Sequence, residues 1–210
     1  MSRRRTVPHP DPSRQPTLFA MTDLSTPTEP RRLFTALFPP EDVAKAIDAE
    51  RQRWPGLPRR LYPVPERLHV TLQFFNRVDA PHERDWLDAL SALRFEPFEI
   101  SLTQADIWQA PSGTIAVLLP ERTPELDALH YATSLLARQV GLPAATQGWR
   151  PHLTTLRHAQ DTVPKPLVQP IRWTARQVDL IWSDLKSRPP RYHPLGQFPV
   201  SNPRKEAKSS

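Results

Sequence analysis

The chain contains no cysteine, which rules out both a disulfide scaffold and a metal site built on thiolates. Glycine is scarce, 5 in 210 residues, and no glycine-rich stretch resembling a phosphate-cradling loop occurs, so no motif signals ATP or dinucleotide binding. No run of about 18 apolar residues exists, so no membrane-spanning helix is predicted. The N-terminus lacks the apolar segment of a secretion signal, and a cytoplasmic protein is expected. Positive charge looks abundant, at a net +6, but it is unevenly placed. Residues 1–32 carry six arginines against three acids, and residues 200–210 carry Arg204, Lys205 and Lys208 against Glu206. Only about +1 is left for the middle of the chain, so net charge is no evidence for a nucleic-acid partner.

What is plentiful is proline, 27 residues, concentrated towards the ends and between predicted elements. Residues 1–31 read as a disordered basic tail, 32–199 as one folded domain, and 200–210 as a second basic tail. Met21 is a candidate native start. Periodicity predicts strands near 33–38, 68–75, 98–109, 114–119, 151–157, 177–184 and 192–199, with helices near 41–53, 82–94 and 124–140. Pro164, Pro166 and Pro170 argue against a long helix in 159–175. Without a regular βαβα rhythm, the pattern implies an α+β fold with mostly antiparallel sheets.

Two tripeptides carry the chemistry: His69-Val70-Thr71 and His152-Leu153-Thr154. Residues i and i+2 of a strand share a face, so each places an imidazole beside a hydroxyl. With 7 His and 16 Thr, composition alone yields about half an H-x-T occurrence, so the tripeptides need context. Around the first, Leu68, Val70, Leu72 and Phe74 alternate with His69, Thr71 and Gln73, the pattern of a half-buried strand with a polar face. Around the second, Leu156 would share the face of His152 and Thr154 on a regular strand, and Arg157 would point away unless a bulge intervenes.

A repeat links the two. Leu33-Phe34-Thr35-Ala36-Leu37-Phe38-Pro39-Pro40-Glu41 precedes a helical pattern with Val43, Ala46, Ile47 and Trp54 on one side, then His69. Thr114-Ile115-Ala116-Val117-Leu118-Leu119-Pro120-Glu121 precedes a helical stripe of Leu126, Leu129, Leu136 and Val140, then His152. Pro39 to His69 spans 30 residues and Pro120 to His152 spans 32. Duplicated strand-helix-strand units would set the two histidines face to face across a central cleft. Two such imidazoles can serve as a general acid and a general base near neutral pH, and the flanking hydroxyls can hold an anionic oxygen. The other candidates are weaker: His158 lies six residues from His152 without nearby carboxylates, His130 reads as structural, and Trp108, Trp182 and Tyr192 read as core aromatics or base-stacking platforms.

These segments, together with Val178-Asp179-Leu180-Ile181-Trp182-Ser183 and Tyr192, resemble the two-histidine phosphoesterases over residues 32–199. The similarity is to the RNA 2′,3′-cyclic phosphodiesterase branch, the LigT-like proteins also described as 2′-5′ RNA ligases. Two positions depart from that pattern: Phe75-Asn76 stands where the family has Leu-Gly, and Thr155-Leu156-Arg157 where it has Leu-Ala-Arg. The resemblance implies a bilobal α+β fold and hydrolysis of RNA 2′,3′-cyclic phosphate ends to 2′-phosphate, without metal or other cofactor, by a monomer. It makes His152 the proton acceptor and His69 the proton donor, with Thr71, Thr154 and Arg157 on the phosphate. Tested against it are a 2′-5′ ligase acting on tRNA-like halves, a non-catalytic RNA-binding module, and a relative acting on a small cyclic nucleotide or an ADP-ribose cyclic phosphate.

Overall fold

A computed structural model describes residues 29–188 and 190–200. Of the expected tails, residues 1–28, with Met21, and 201–210 lie outside the described residues, while Arg31, placed in the N-terminal tail by the sequence reading, begins β1. Eight strands and three helices follow in the order β1 (Arg31–Leu37), α1 (Glu41–Arg51), β2 (Val70–Val78), α2 (Ala80–Ser91), β3 (Phe98–Ala110), β4 (Gly113–Pro120), α3 (Pro124–Gln139), β5 (Leu153–Arg157), β6 (Ile171–Ala175), β7 (Gln177–Asp184) and β8 (Arg191–Pro199). A single 3₁₀ turn, Pro65–Arg67, leads into β2.

All strand pairs are antiparallel, in the order β6-β3-β4-β5-β2-β1-β7-β8. The order reads as two four-stranded halves related by a pseudo-twofold axis between β5 and β2, which meet through Val70 and Leu153. The fold is thus α+β and mostly antiparallel, and the strand-helix-strand repeat of the sequence occupies equivalent positions in the two halves. Helix α1, from the first repeat, packs against β5 and β6 of the other half, while α3, from the second, bridges the two by packing against β2 and β3. Helix α2 packs against β8 and α3, so the apolar core beneath the sheet is shared.

Each helix starts on a local signal. Thr123 caps α3 by accepting from the Leu126 amide (3.3 Å), and Asp79 caps α2 by accepting from the His82 amide (3.0 Å). Pro124 and Pro81 occupy first-turn positions where no amide donor is needed. Helix α1 follows Pro39-Pro40, with Glu41 and Asp42 at the positive end of its dipole. Its buried face carries Ala44, Ile47 and Arg51 rather than the expected Ala46, which faces solvent. Strand β6 was not expected. Its Ile171-Arg172-Trp173-Thr174-Ala175 alternation is only five residues long and follows the prolines that dominated the reading of that segment. Among the described residues no helix is long and apolar enough to cross a membrane.

Candidate active site

Both histidines sit immediately before their strands, one residue ahead of β2 and β5, and both line one cavity of about 320 Å³ at the junction of the halves. Thr71, Thr154 and Arg157 line it too, so every site residue expected from the sequence is brought to one place.

Two β-bulges make this possible. In β2 the register against β1 slips between Thr35–Gln73 and Ala36–Thr71, so the chain gains a residue after Thr71. In β5 the register against β4 slips between Ala116–Leu156 and Val117–Thr154, so the extra residue is Thr155. Past each bulge the side chains change face. Leu156 therefore turns into the core and Arg157 into the cavity, contrary to the reading of a regular strand. Gln73 likewise leaves the polar face expected for it. It is buried, donating from Nε2 to Ser134 Oγ (2.7 Å) and to the His130 carbonyl (3.2 Å), and Phe74 lines the cavity in its place. Phe74 and Arg157 both stand five residues after their histidine.

A bulge leaves backbone groups without ladder partners, and here side chains satisfy them. The buried Arg51 guanidinium, held by Asp48, donates to the Thr155 carbonyl (2.6 Å) and to the Pro63 carbonyl (2.6 Å). Thr155 Oγ1 donates to the Ala116 carbonyl (3.0 Å). Across the axis, Trp149 Nε1 donates to the Thr71 carbonyl (3.2 Å), and the Gln73 amide donates to Thr35 Oγ1 (3.2 Å).

The imidazoles are oriented by one device used twice. His69 Nδ1 lies 2.7 Å from the Arg67 carbonyl, and His152 Nδ1 lies 2.8 Å from the Arg150 carbonyl. A carbonyl only accepts, so Nδ1 carries the proton in both and Nε2 is the nitrogen left for the cavity. The repeated unit is therefore R-x-H-x-T, a longer signal than H-x-T, and reading two residues further back would have found Arg67.

The two environments differ. His69 stacks on Phe34 (ring centroids 4.8 Å) and lies against Phe38 (5.1 Å), with Tyr192 edge-on at 6.0 Å. That burial pushes its pKa down to about 4. His152 tilts against Trp108 (4.8 Å), whose ring also packs against Arg150, and burial lowers its pKa as well. With both pKa values lowered, both imidazoles are neutral at pH 7.

Three guanidiniums, Arg32, Arg67 and Arg157, share the cavity wall, and among the described residues no carboxylate does. Arg67 donates to Tyr62 Oη (2.9 Å) and lies over the Tyr192 ring, while Arg32 lies over Phe74 with its buried Nε unpartnered. Among the described residues the Arg157 side chain reaches only Ser112 Oγ, at 3.3 Å. Such a lining is chemically suited to an anion. Arg32 was legible as the residue two before Phe34 on a strand of period two. Ser183 and Tyr62, which also line the cavity, carried no comparable signal. Of the aromatics considered, Tyr192 lines the cavity and Trp108 supports His152, whereas Trp182 stacks on His193 outside it. His130 is buried and stacked on Trp149, and His158 is exposed at the end of β5.

Comparison with known proteins agrees with this geometry. Residues 37–119 match the family model described as LigT like Phosphoesterase. The chain is 30% identical over 145 residues to the RNA 2′,3′-cyclic phosphodiesterase of Escherichia coli (strain K12), covering 66% of this chain and 80% of that protein. The chain belongs to the LigT-like phosphoesterase family. Among solved structures, E. coli LigT complexed with 3′-AMP superposes with a TM-score of 0.70 at 26% identity, covering 83% of this chain and 100% of that one. The same protein complexed with NADP+ gives the same values. A structure described only as a phosphoesterase shares the LigT-like fold with a TM-score of 0.72 at 24% identity, over 83% of this chain and all of that one.

Proposed function

We propose that this LigT-like phosphoesterase hydrolyses RNA ends bearing a 2′,3′-cyclic phosphate to a 2′-phosphate, by acid–base catalysis between His152 and His69 with no metal ion. The observation that carries this reading is the matched pair of imidazoles, each with Nδ1 fixed on a backbone carbonyl and Nε2 left for an anion-attracting cavity. The E. coli relative's name, and the complex of E. coli LigT with 3′-AMP, support a phosphorylated ribonucleotide as the ligand.

In this mechanism His152 Nε2 takes a proton from water as its oxygen attacks phosphorus. The bond from phosphorus to the 3′ oxygen breaks, and His69 Nε2 delivers a proton to that oxygen, leaving a 2′-phosphate and a 3′-hydroxyl. Thr71, Thr154 and Arg157 hold the non-bridging oxygens, where charge builds in the transition state. Because both imidazoles are neutral at pH 7 with no anion beside them, the acid gains its proton together with the substrate. An anion beside a desolvated imidazole raises its proton affinity, and the effect is greatest where water is most excluded, at His69.

The test incubates EDTA-treated protein with an RNA ending in 2′,3′-cyclic phosphate and identifies the product. A 2′-phosphate is expected, with His69→Ala and His152→Ala each lowering turnover by roughly 10² or more. Near-native activity in both variants would refute the mechanism, and a 3′-phosphate product would misplace the acid. A substrate with sulfur replacing the 3′ bridging oxygen separates the roles, since a thiolate leaves without a proton. It should rescue His69→Ala and not His152→Ala.

A further inference from the structure

A second cavity, of about 670 Å³, adjoins the first on the β7–β8 side, and Arg67 and Tyr192 line both. Strand register places its floor. Thr71 pairs with Ala36, Ala36 with Asp179, and Asp179 with Gln197, a row crossing β2, β1, β7 and β8. Two strand spacings put Asp179 roughly 10 Å from Thr71, within reach of one nucleotide whose phosphate sits at the histidines. Asp179 shares its face with Ile181, which packs with Phe34 and Ala36, and Phe38 and Tyr192 cover that cluster.

Asp179 is an unusual residue for such a floor. It is 8% exposed, and no Lys, Arg or His forms an ion pair with it among the described residues. Gln177 and Gln197 both donate to Oδ1, at 2.7 and 3.2 Å, and no donor within the described residues reaches Oδ2. A desolvated carboxylate without a counter-charge is costly, and burial raises its pKa. The two donated amide bonds favour its ionised form, in which it only accepts hydrogen bonds.

We propose that this cavity is a nucleobase subsite in which Asp179 Oδ2 accepts from the exocyclic amine of adenine, cytosine or guanine, with the base against Phe38 or Tyr192. An amine donor would complete the half-satisfied carboxylate, and the aromatic walls suit any base face. Uracil has no exocyclic amine, and its single N3–H is flanked on both sides by carbonyl oxygens that the carboxylate repels. The inference rests on the proposed activity, because it assumes the phosphate is held at the histidines.

Two measurements test it. The first is kcat/KM on the four 2′,3′-cyclic mononucleotides, and the second is the affinity of the four 2′-mononucleotides, which needs no turnover. Uridine should be the poorest by about tenfold or more in both, the worth of one hydrogen bond to a charged group. Asp179→Asn should lower the amine-bearing nucleotides by a similar factor while leaving uridine unchanged or improved, because the Asn amide can donate to a uracil oxygen. Equal values for all four bases in the unmodified protein would overturn the subsite. So would a variant that weakens all four alike, which would mark Asp179 as purely structural. If no cyclic nucleotide is turned over but the binding order holds, the proposed activity fails and the subsite stands.

Discussion

The titration of His69 is the most exposed consequence of the cleft's construction. Its pKa, driven from 6.5 to about 4, is set chiefly by burial, with the positive charge of His152 and Arg157 adding to the effect and the bond to the Arg67 carbonyl opposing it. At about 1.4 kcal/mol per unit, the depression corresponds to roughly 3 kcal/mol against the charged form. Phe38 is half-buried over the ring, so Phe38→Ala admits water without emptying the core and should raise the midpoint by on the order of one unit. The assay is NMR of the imidazole Cε1–H, assigned with His69→Gln. The sign for stability follows. Between 6.5 and about 4 the unfolded chain binds a proton that native His69 refuses, so stability falls as pH drops through that window and is lost no further below it. The loss from this group is at most about 3 kcal/mol, and Phe38→Ala should flatten it. Inorganic phosphate should move the midpoint upward, because its charge favours imidazolium. A midpoint near the ordinary value in the free protein, or no response to Phe38→Ala, would refute the account of the site as desolvated by its aromatic walls.

Arg157→Met should weaken phosphate binding and kcat/KM by roughly 10²-fold through loss of a charged donor to the phosphate. It should move the thermal midpoint by no more than about 2 °C, since its one side-chain partner among the described residues is the exposed Ser112 hydroxyl; calorimetry and phosphate titration check the two halves. Arg51→Met should instead cost about 3–5 kcal/mol in denaturant unfolding, because it strands Asp48 and two buried carbonyls. At temperatures where this variant stays folded, its phosphate affinity should also fall, because the Thr155 bulge that aims Arg157 loses its anchor. Unchanged affinity would show that the bulge holds without the guanidinium.

Much of this arrangement is legible in the sequence, for identifiable reasons. Period-two alternation exposes the strands, proline and Thr or Asp mark the helix starts, and the nearly equal spacing of two H-x-T units from the strands before them reveals the repeat that places them together. What alternation cannot show is a bulge. Leu72-Gln73-Phe74 and Thr155-Leu156-Arg157 read as continuations of their strands, yet each changes phase, because the stabilising donors lie far away in sequence, on Arg51 and Trp149. Arg67 escaped notice because its backbone carbonyl, which orients His69, is anonymous in a sequence. Asp179 escaped it because a lone acid in an apolar strand has no pattern. Only the register beside Ala36 and Gln197 gives it a neighbourhood.

The pseudo-twofold axis raises a problem of regiochemistry. A perfectly symmetric pair of R-x-H-x-T cradles would accept a cyclic phosphate in two orientations and cut either ester bond, returning a mixture of isomers. The matched bulges expose one variable position per repeat, and the two repeats fill it differently: a cation at Arg157 and an aromatic ring at Phe74. Duplication supplies the proposed acid–base pair, and this mismatch, together with the unlike aromatic walls around His69 and His152, would tell left from right.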